Sequence, residues 1–113
     1  MHSTINQVFN RIQKGFNIHK EDITLNSNGS IEVLITDHED IVNCWLNITP
    51  YNKDINVNNI GEAIVSECDV EVCNYSSTTY FSSAHKENVK VSCINDIVEA
   101  VKNNAEYQYV SGL

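Results

Sequence analysis

The chain has 113 residues, of which 42% are apolar and 19% charged, with one proline, four glycines and a formal net charge of −8. A chain of that length organises one hydrophobic core, so a single compact acidic domain over residues 1–113 is expected, and the composition excludes a disordered, collagen-like or linker-rich protein. The charge disfavours direct binding to DNA, RNA or an anionic membrane, which need clustered Lys and Arg, and favours a partner with a basic surface.

The polar start, His2 to Asn10, lacks the basic and apolar regions of a secretory leader, and no apolar run approaches the ~18 residues that span a bilayer. A soluble, cytoplasmic protein is expected. In that setting the sequon-like Asn28-Gly-Ser, Asn47-Ile-Thr and Asn74-Tyr-Ser are chance matches, and Cys44, Cys68, Cys73 and Cys93 read as reduced thiols packed as small hydrophobes.

Residues 4 to 16 predict an amphipathic helix. Thr4 and Gln7 form a capping-box pattern, and Ile5, Val8, Phe9, Ile12 and Phe16 fall on one stripe. Arg11 and Lys14 suit the negative end of the helix, and Gly15 offers a stop. Two strands follow, Ile23 to Leu25 and Ser30 to Thr36, joined by Asn26-Ser-Asn-Gly, whose Asn-Gly pair tolerates positive φ. Ile31, Val33 and Ile35 alternate, which predicts one buried face. Asp37-His-Glu-Asp reads as a second turn, and Ile41 to Thr49 as the returning strand, closed by Pro50.

Tyr51 to Asn59 reads as a loop rich in Asn and Asp. A short middle helix is expected over Ile60 to Glu67, with Ile60, Ala63 and Ile64 inward and Gly61 weakening it. Val70 and Val72 predict a strand, and so do Val89 and Val91, while Tyr75 to Ser83 reads as an edge strand or an exposed loop. A closing helix carries Ile94, Ile97, Val98, Val101 and Ala105 on one stripe, with Ser92 or Asn95 as its cap. Tyr107, Tyr109 and Val110 trail off it. The expected fold is α+β: a mostly antiparallel meander of about four to six strands with a helix at each end.

The acidity is concentrated. Glu32 to Glu71 holds nine acids and one base, Lys53, whereas the rest of the chain holds six acids and six bases and cancels. Strands and a short helix presenting Asp37, Glu39, Asp40, Glu67, Asp69 and Glu71 on one face would be drawn to a Lys/Arg-lined groove. Trp45 or Tyr51 would supply an apolar anchor. Two readings of Trp45 stand, because it lies opposite Cys44, Leu46 and Ile48 on its strand: an exposed hot spot, or a second-face core residue.

Other chemistry is poorly signalled. Asp37-His-Glu-Asp lacks the calcium-loop spacing and its central glycine. Cys68 and Cys73 have the sequence separation of a zinc knuckle, with His85 and Cys93 available, but five positions along a strand send the two thiols to opposite faces. There is no nucleophile elbow and no Gly-rich phosphate loop. No enzymatic activity, metal or cofactor is expected. The residues fit best an intracellular protein inhibitor that neutralises a nucleic-acid-processing protein or complex, such as a phage anti-defence (anti-CRISPR-like) inhibitor or a nuclease-toxin immunity protein. Two alternatives belong to other classes: a metal- or thiol-dependent protein using Cys68, Cys73, Cys93 and His85, and a homodimeric module pairing through Tyr75 to Ser83.

Overall fold

The computed structural model describes residues 3–36, 42–77, 84–91 and 93–111, with the backbone alone at 42–43, 74–77, 84–89 and 104–111. The described elements are helix α1 (Ile5–Ile12), strands β1 (Ile23–Leu25), β2 (Ile31–Thr36), β3 (Val42–Pro50), β4 (Cys68–Ser77) and β5 (Ala84–Val91), and helix α2 (Ile94–Ser111). The strands form one five-stranded antiparallel sheet in the order β1-β2-β3-β4-β5, so every strand pairs with its sequence neighbour. The fold is the expected α+β meander with a helix at each end. No helix among the described residues is long and apolar enough to cross a membrane.

Local chemistry accounts for most of these elements. The capping box is closed in both directions: the Gln7 N–H donates to Thr4 Oγ1, and the Thr4 N–H donates to Gln7 Oε1. Ile5, Val8, Phe9 and Ile12 are buried as one stripe, but α1 ends at Ile12, earlier than the stripe suggests. There the Gly15 and Phe16 N–H groups both donate to the Ile12 carbonyl, and Phe16 packs beside the core from outside the helix. In the β1–β2 turn Gly29 takes φ +88, the left-handed conformation that glycine enters without a Cβ clash. Asn28 Oδ1 accepts from both the backbone N–H and the hydroxyl of Ser30, which fixes the turn.

Alternation then sorts the sheet. Ile31, Val33 and Ile35 of β2, Cys44, Leu46 and Ile48 of β3, and Val70 and Val72 of β4 face the helices. They merge with the α1 stripe and with Ile97, Val98 and Val101 of α2 into one core. At the end of β2 the register slips between Ile35 and Thr36, so both are buried. Thr36 pairs there with Asn17 through two backbone bonds, and its hydroxyl has no hydrogen-bond partner.

Four expectations need correction. The segment from Ile60 to Glu67 is not one helix but two 3₁₀ turns, Ile60–Glu62 and Val65–Glu67, split by extended Ala63 and Ile64. The split has a tertiary cause. The Ile5 N–H donates to the Ala63 carbonyl and the Val65 N–H to the Ser3 carbonyl, both at 2.8 Å, so the middle of the segment is drawn out into a bridge with the N-terminal residues. Val65 is consequently buried where Ile64 was expected, and Ile64 is half-buried. Second, Tyr75 to Ser77 are strand and not loop, continuing β4 in pairing with β5, while residues 78–83 lie outside the described residues. Third, Asn95 lies inside α2 and is not its cap, while Ser92 is outside the described residues. Fourth, α2 continues through Tyr107, Tyr109 and Val110 to Ser111.

The loop of residues 51–59 explains part of the asparagine content. Asn52 Oδ1 accepts from the Asp54 N–H, Asn56 Oδ1 from the Asn58 N–H, and Asn59 Oδ1 from the Asn56 N–H. These side chains stand in for the ladder bonds that a loop backbone lacks. Ile55 and Val57 meanwhile pack against the core.

Candidate functional site

The face of the sheet turned away from the core carries the acids. Directly paired residues in an antiparallel sheet project to the same side, so the register lays out rows across this face. One row runs Thr24, Glu32, Asn47, Glu71, Lys90, and beside it lies the pair Thr49 and Asp69. Adjacent strands lie roughly 4.8 Å apart, which places Glu32 and Glu71 about 10 Å apart across the row. Asp69 and Glu71, two positions apart on β4, are separated by roughly 7 Å along the strand.

Asp69 is exposed and its Oδ1 accepts the Tyr51 hydroxyl at 2.8 Å. That bond favours the phenol over the phenolate, so it raises the Tyr51 pKa above its ordinary value, with the negative charge of Asp69 acting in the same direction. Tyr51 is 60% exposed, so its ring lies open beside the carboxylate. The Tyr51 N–H also donates to the Glu67 carbonyl, which brings exposed Glu67 to the same corner. Glu32 and Glu71 are half-buried.

The structure therefore gathers Tyr51, Glu67, Asp69 and Glu71 from the expected set. Asp37, Glu39 and Asp40 lie outside the described residues. Trp45 is 3% exposed, which answers the choice left open by its position: it is a buried residue of the second face and not a surface anchor. Its row on that face is Leu34, Trp45, Cys73, with Leu34 half-buried and Cys73 buried. This end of the second face is thus closed, and the Glu32–Glu71 row borders it. Glu32 is the acid that strand-by-strand reading leaves out of the site. Its polar position between Ile31 and Val33 was visible, but its alignment with Glu71 requires the order β2-β3-β4.

The thiols do not converge. Cys68 and Cys73 project to opposite sides of β4, as five positions along a strand require. Cys68 Sγ donates to the Ile64 carbonyl, and Cys73 Sγ accepts from Asn47 Nδ2. Burial pushes the Cys44 thiol up to about 12, with neighbouring Cys73 adding to it; burial and the charges of Glu67 and Asp69 push Cys68 up to about 11. Both are protonated at neutral pH, a poor state for nucleophilic attack or metal ligation. Cys93 is exposed, and the side chains of His85 and His38 are outside the described residues. Among the described residues no three His, Cys, Asp or Glu side chains cluster as a metal site would need.

No family model, curated protein or solved structure matches the chain.

Proposed function

We propose that the protein is a small acidic inhibitor that docks the exposed part of its second sheet face on the basic, nucleic-acid-binding surface of a protein or nucleoprotein partner. It neutralises the partner by occupying that surface. The observation that supports this reading is the convergence of Glu67, Asp69 and Glu71 with the exposed ring of Tyr51, with Glu32 in the same row as Glu71, on the side of the sheet opposite the core. Single exposed ion pairs contribute ~0–1 kcal/mol, so affinity on such a face is collective, and the field of the whole acidic block chiefly speeds encounter. Tyr51 brings aromatic area, and its bond to Asp69 orients ring and carboxylate together. The setting that fits is cytoplasmic: phage anti-defence of the anti-CRISPR kind, or immunity against a nuclease toxin. Both are analogies of function.

The test is capture of partners by wild type and by a Glu67/Asp69/Glu71→Lys variant in parallel, each at ~50 and ~500 mM salt. The expected outcome is a basic nucleic-acid-binding protein retained by wild type at low salt, released at high salt, displaced by its own nucleic acid, and absent from the variant. A partner held equally by both proteins at both salt concentrations would remove this face from consideration.

A further inference from the structure

The molecule carries a second concentration of charge, of opposite sign. Arg11 and Lys14 from the C-terminal end of α1 and Lys102 from α2 line one cleft of about 300 Å³, together with Gly15 and Val98. Three of the chain's seven basic residues thus meet at one place in a protein of net charge −8. Among the residues whose side chains are described, no carboxylate lines the cleft; Asp96 and Glu99, also on α2, are exposed and outside it.

The parts have distinct roles. Arg11 is tied across the two helices, its Nη1 donating to Asn95 Oδ1 at 2.6 Å, which orients the guanidinium and leaves other N–H groups for a ligand. Lys14 and Lys102 add two mobile point charges. Val98 is buried and supplies an apolar wall, and a low-dielectric wall focuses the field of cations beside it. Gly15 borders open space, since a Cβ at that position would meet no atom within 4 Å. Cations at this place also offset the dipole of α1, but that helix end carries roughly half a negative charge, so three full positive charges leave the cleft strongly positive.

We infer that this cleft binds a phosphate monoester, whose tetrahedral dianion offers three acceptor oxygens to one guanidinium and two ammonium groups. A monocarboxylate would be matched by Arg11 alone. The inference is independent of the role of the acidic face.

The test is a titration of ¹⁵N-labelled protein at constant ionic strength with inorganic phosphate and with a nucleoside 5′-monophosphate, with chloride as reference. Saturable shifts confined to the amides around Arg11–Phe16 and Asn95–Lys102 are expected. Affinity should fall at least tenfold in Lys14→Gln/Lys102→Gln and in Gly15→Asp. The glycine variant places a carboxylate in the cleft without removing a cation, at a position free of left-handed backbone strain. If one variant fails to fold by thermal unfolding, the other decides. Tighter binding of the nucleotide than of phosphate supports the cleft and adds recognition of the organic part; equal binding supports recognition of the phosphate alone. Linear shifts like those of chloride, or undiminished binding in the folded variants, overturn it.

Discussion

The two faces of the sheet are built from the same strands by the same alternation, yet they differ in kind. The face toward the helices is apolar along β2, β3 and β4, from Ile31 and Ile48 through Leu46 to Val72, and it is closed completely. The other face is divided. Trp45 and Cys73 are buried at one end, and beyond them Glu32, Asn47, Glu71 and exposed Asp69 lie among Thr24, Thr49 and Lys90. A single register therefore serves stability on one side and leaves charge on the other, with a one-residue slip enough to exchange them.

The comparison breaks first at Trp45. Trp45→Ala is expected to cost about 3–5 kcal/mol, in the range of Leu46→Ala at about 2–5, because both large side chains leave a cavity. Urea unfolding of the two variants measures this. A Trp45→Ala protein as stable as wild type would mean that the second face has no buried part.

Alkaline pH probes the thiols. Cys44 titrates near 12 when folded against an ordinary 9.0, and a raised pKa gives stability that is complete below the unfolded value and lost as pH climbs toward the folded one. Cys68, pushed to about 11, and Tyr51, raised above 10.0, act with the same sign. The urea midpoint should hold between about pH 7 and 8.5 and then decline, with Cys44 alone responsible for about 1–2 kcal/mol by pH 10.5. Cys44→Ala should flatten part of that decline. An equally steep decline in Cys44→Ala would assign the effect elsewhere.

The smallest effect is expected where the two faces meet at the register slip. Thr36→Val removes a buried hydroxyl without a partner and keeps the shape, so the variant should fall between neutral and about 1 kcal/mol more stable. A loss of more than that in thermal unfolding would show that the hydroxyl has a role in holding the slip.

Much of this was legible in the residues, for reasons that are local. The Thr4–Gln7 capping box, the stripe of α1, the Asn28-Gly29 turn and the alternation of Ile31, Val33 and Ile35 each need only a few neighbouring positions, and each is present. What could not be read depends on distant partners. Ile60 to Glu67 has a helical pattern that backbone bonding with Ser3 and Ile5 overrides. The polar end of β4, Tyr75 to Ser77, is held as a strand by its pairing with β5, a matter of pairing and not of propensity. The candidate site divides the same way: the acidic block is evident from counting, whereas the meeting of Tyr51 with Asp69, the row from Glu32 to Glu71 and the burial of Trp45 all require the strand order.

The bonds that join residues 3–5 to residues 63–65 also say something about assembly. Each hairpin of the meander closes over a neighbouring segment, but the contact of α1 with Ala63 encloses about sixty residues. The entropy lost on closing a loop grows with its length, and non-local pairings are slow to be repaid. The sheet can grow outward from its own turns, whereas α1 has no partner backbone until the chain beyond β3 is in place. The helix α1 thus seats late, with the stripe Ile5, Val8, Phe9 and Ile12 waiting for the segment around Ala63 to reach it.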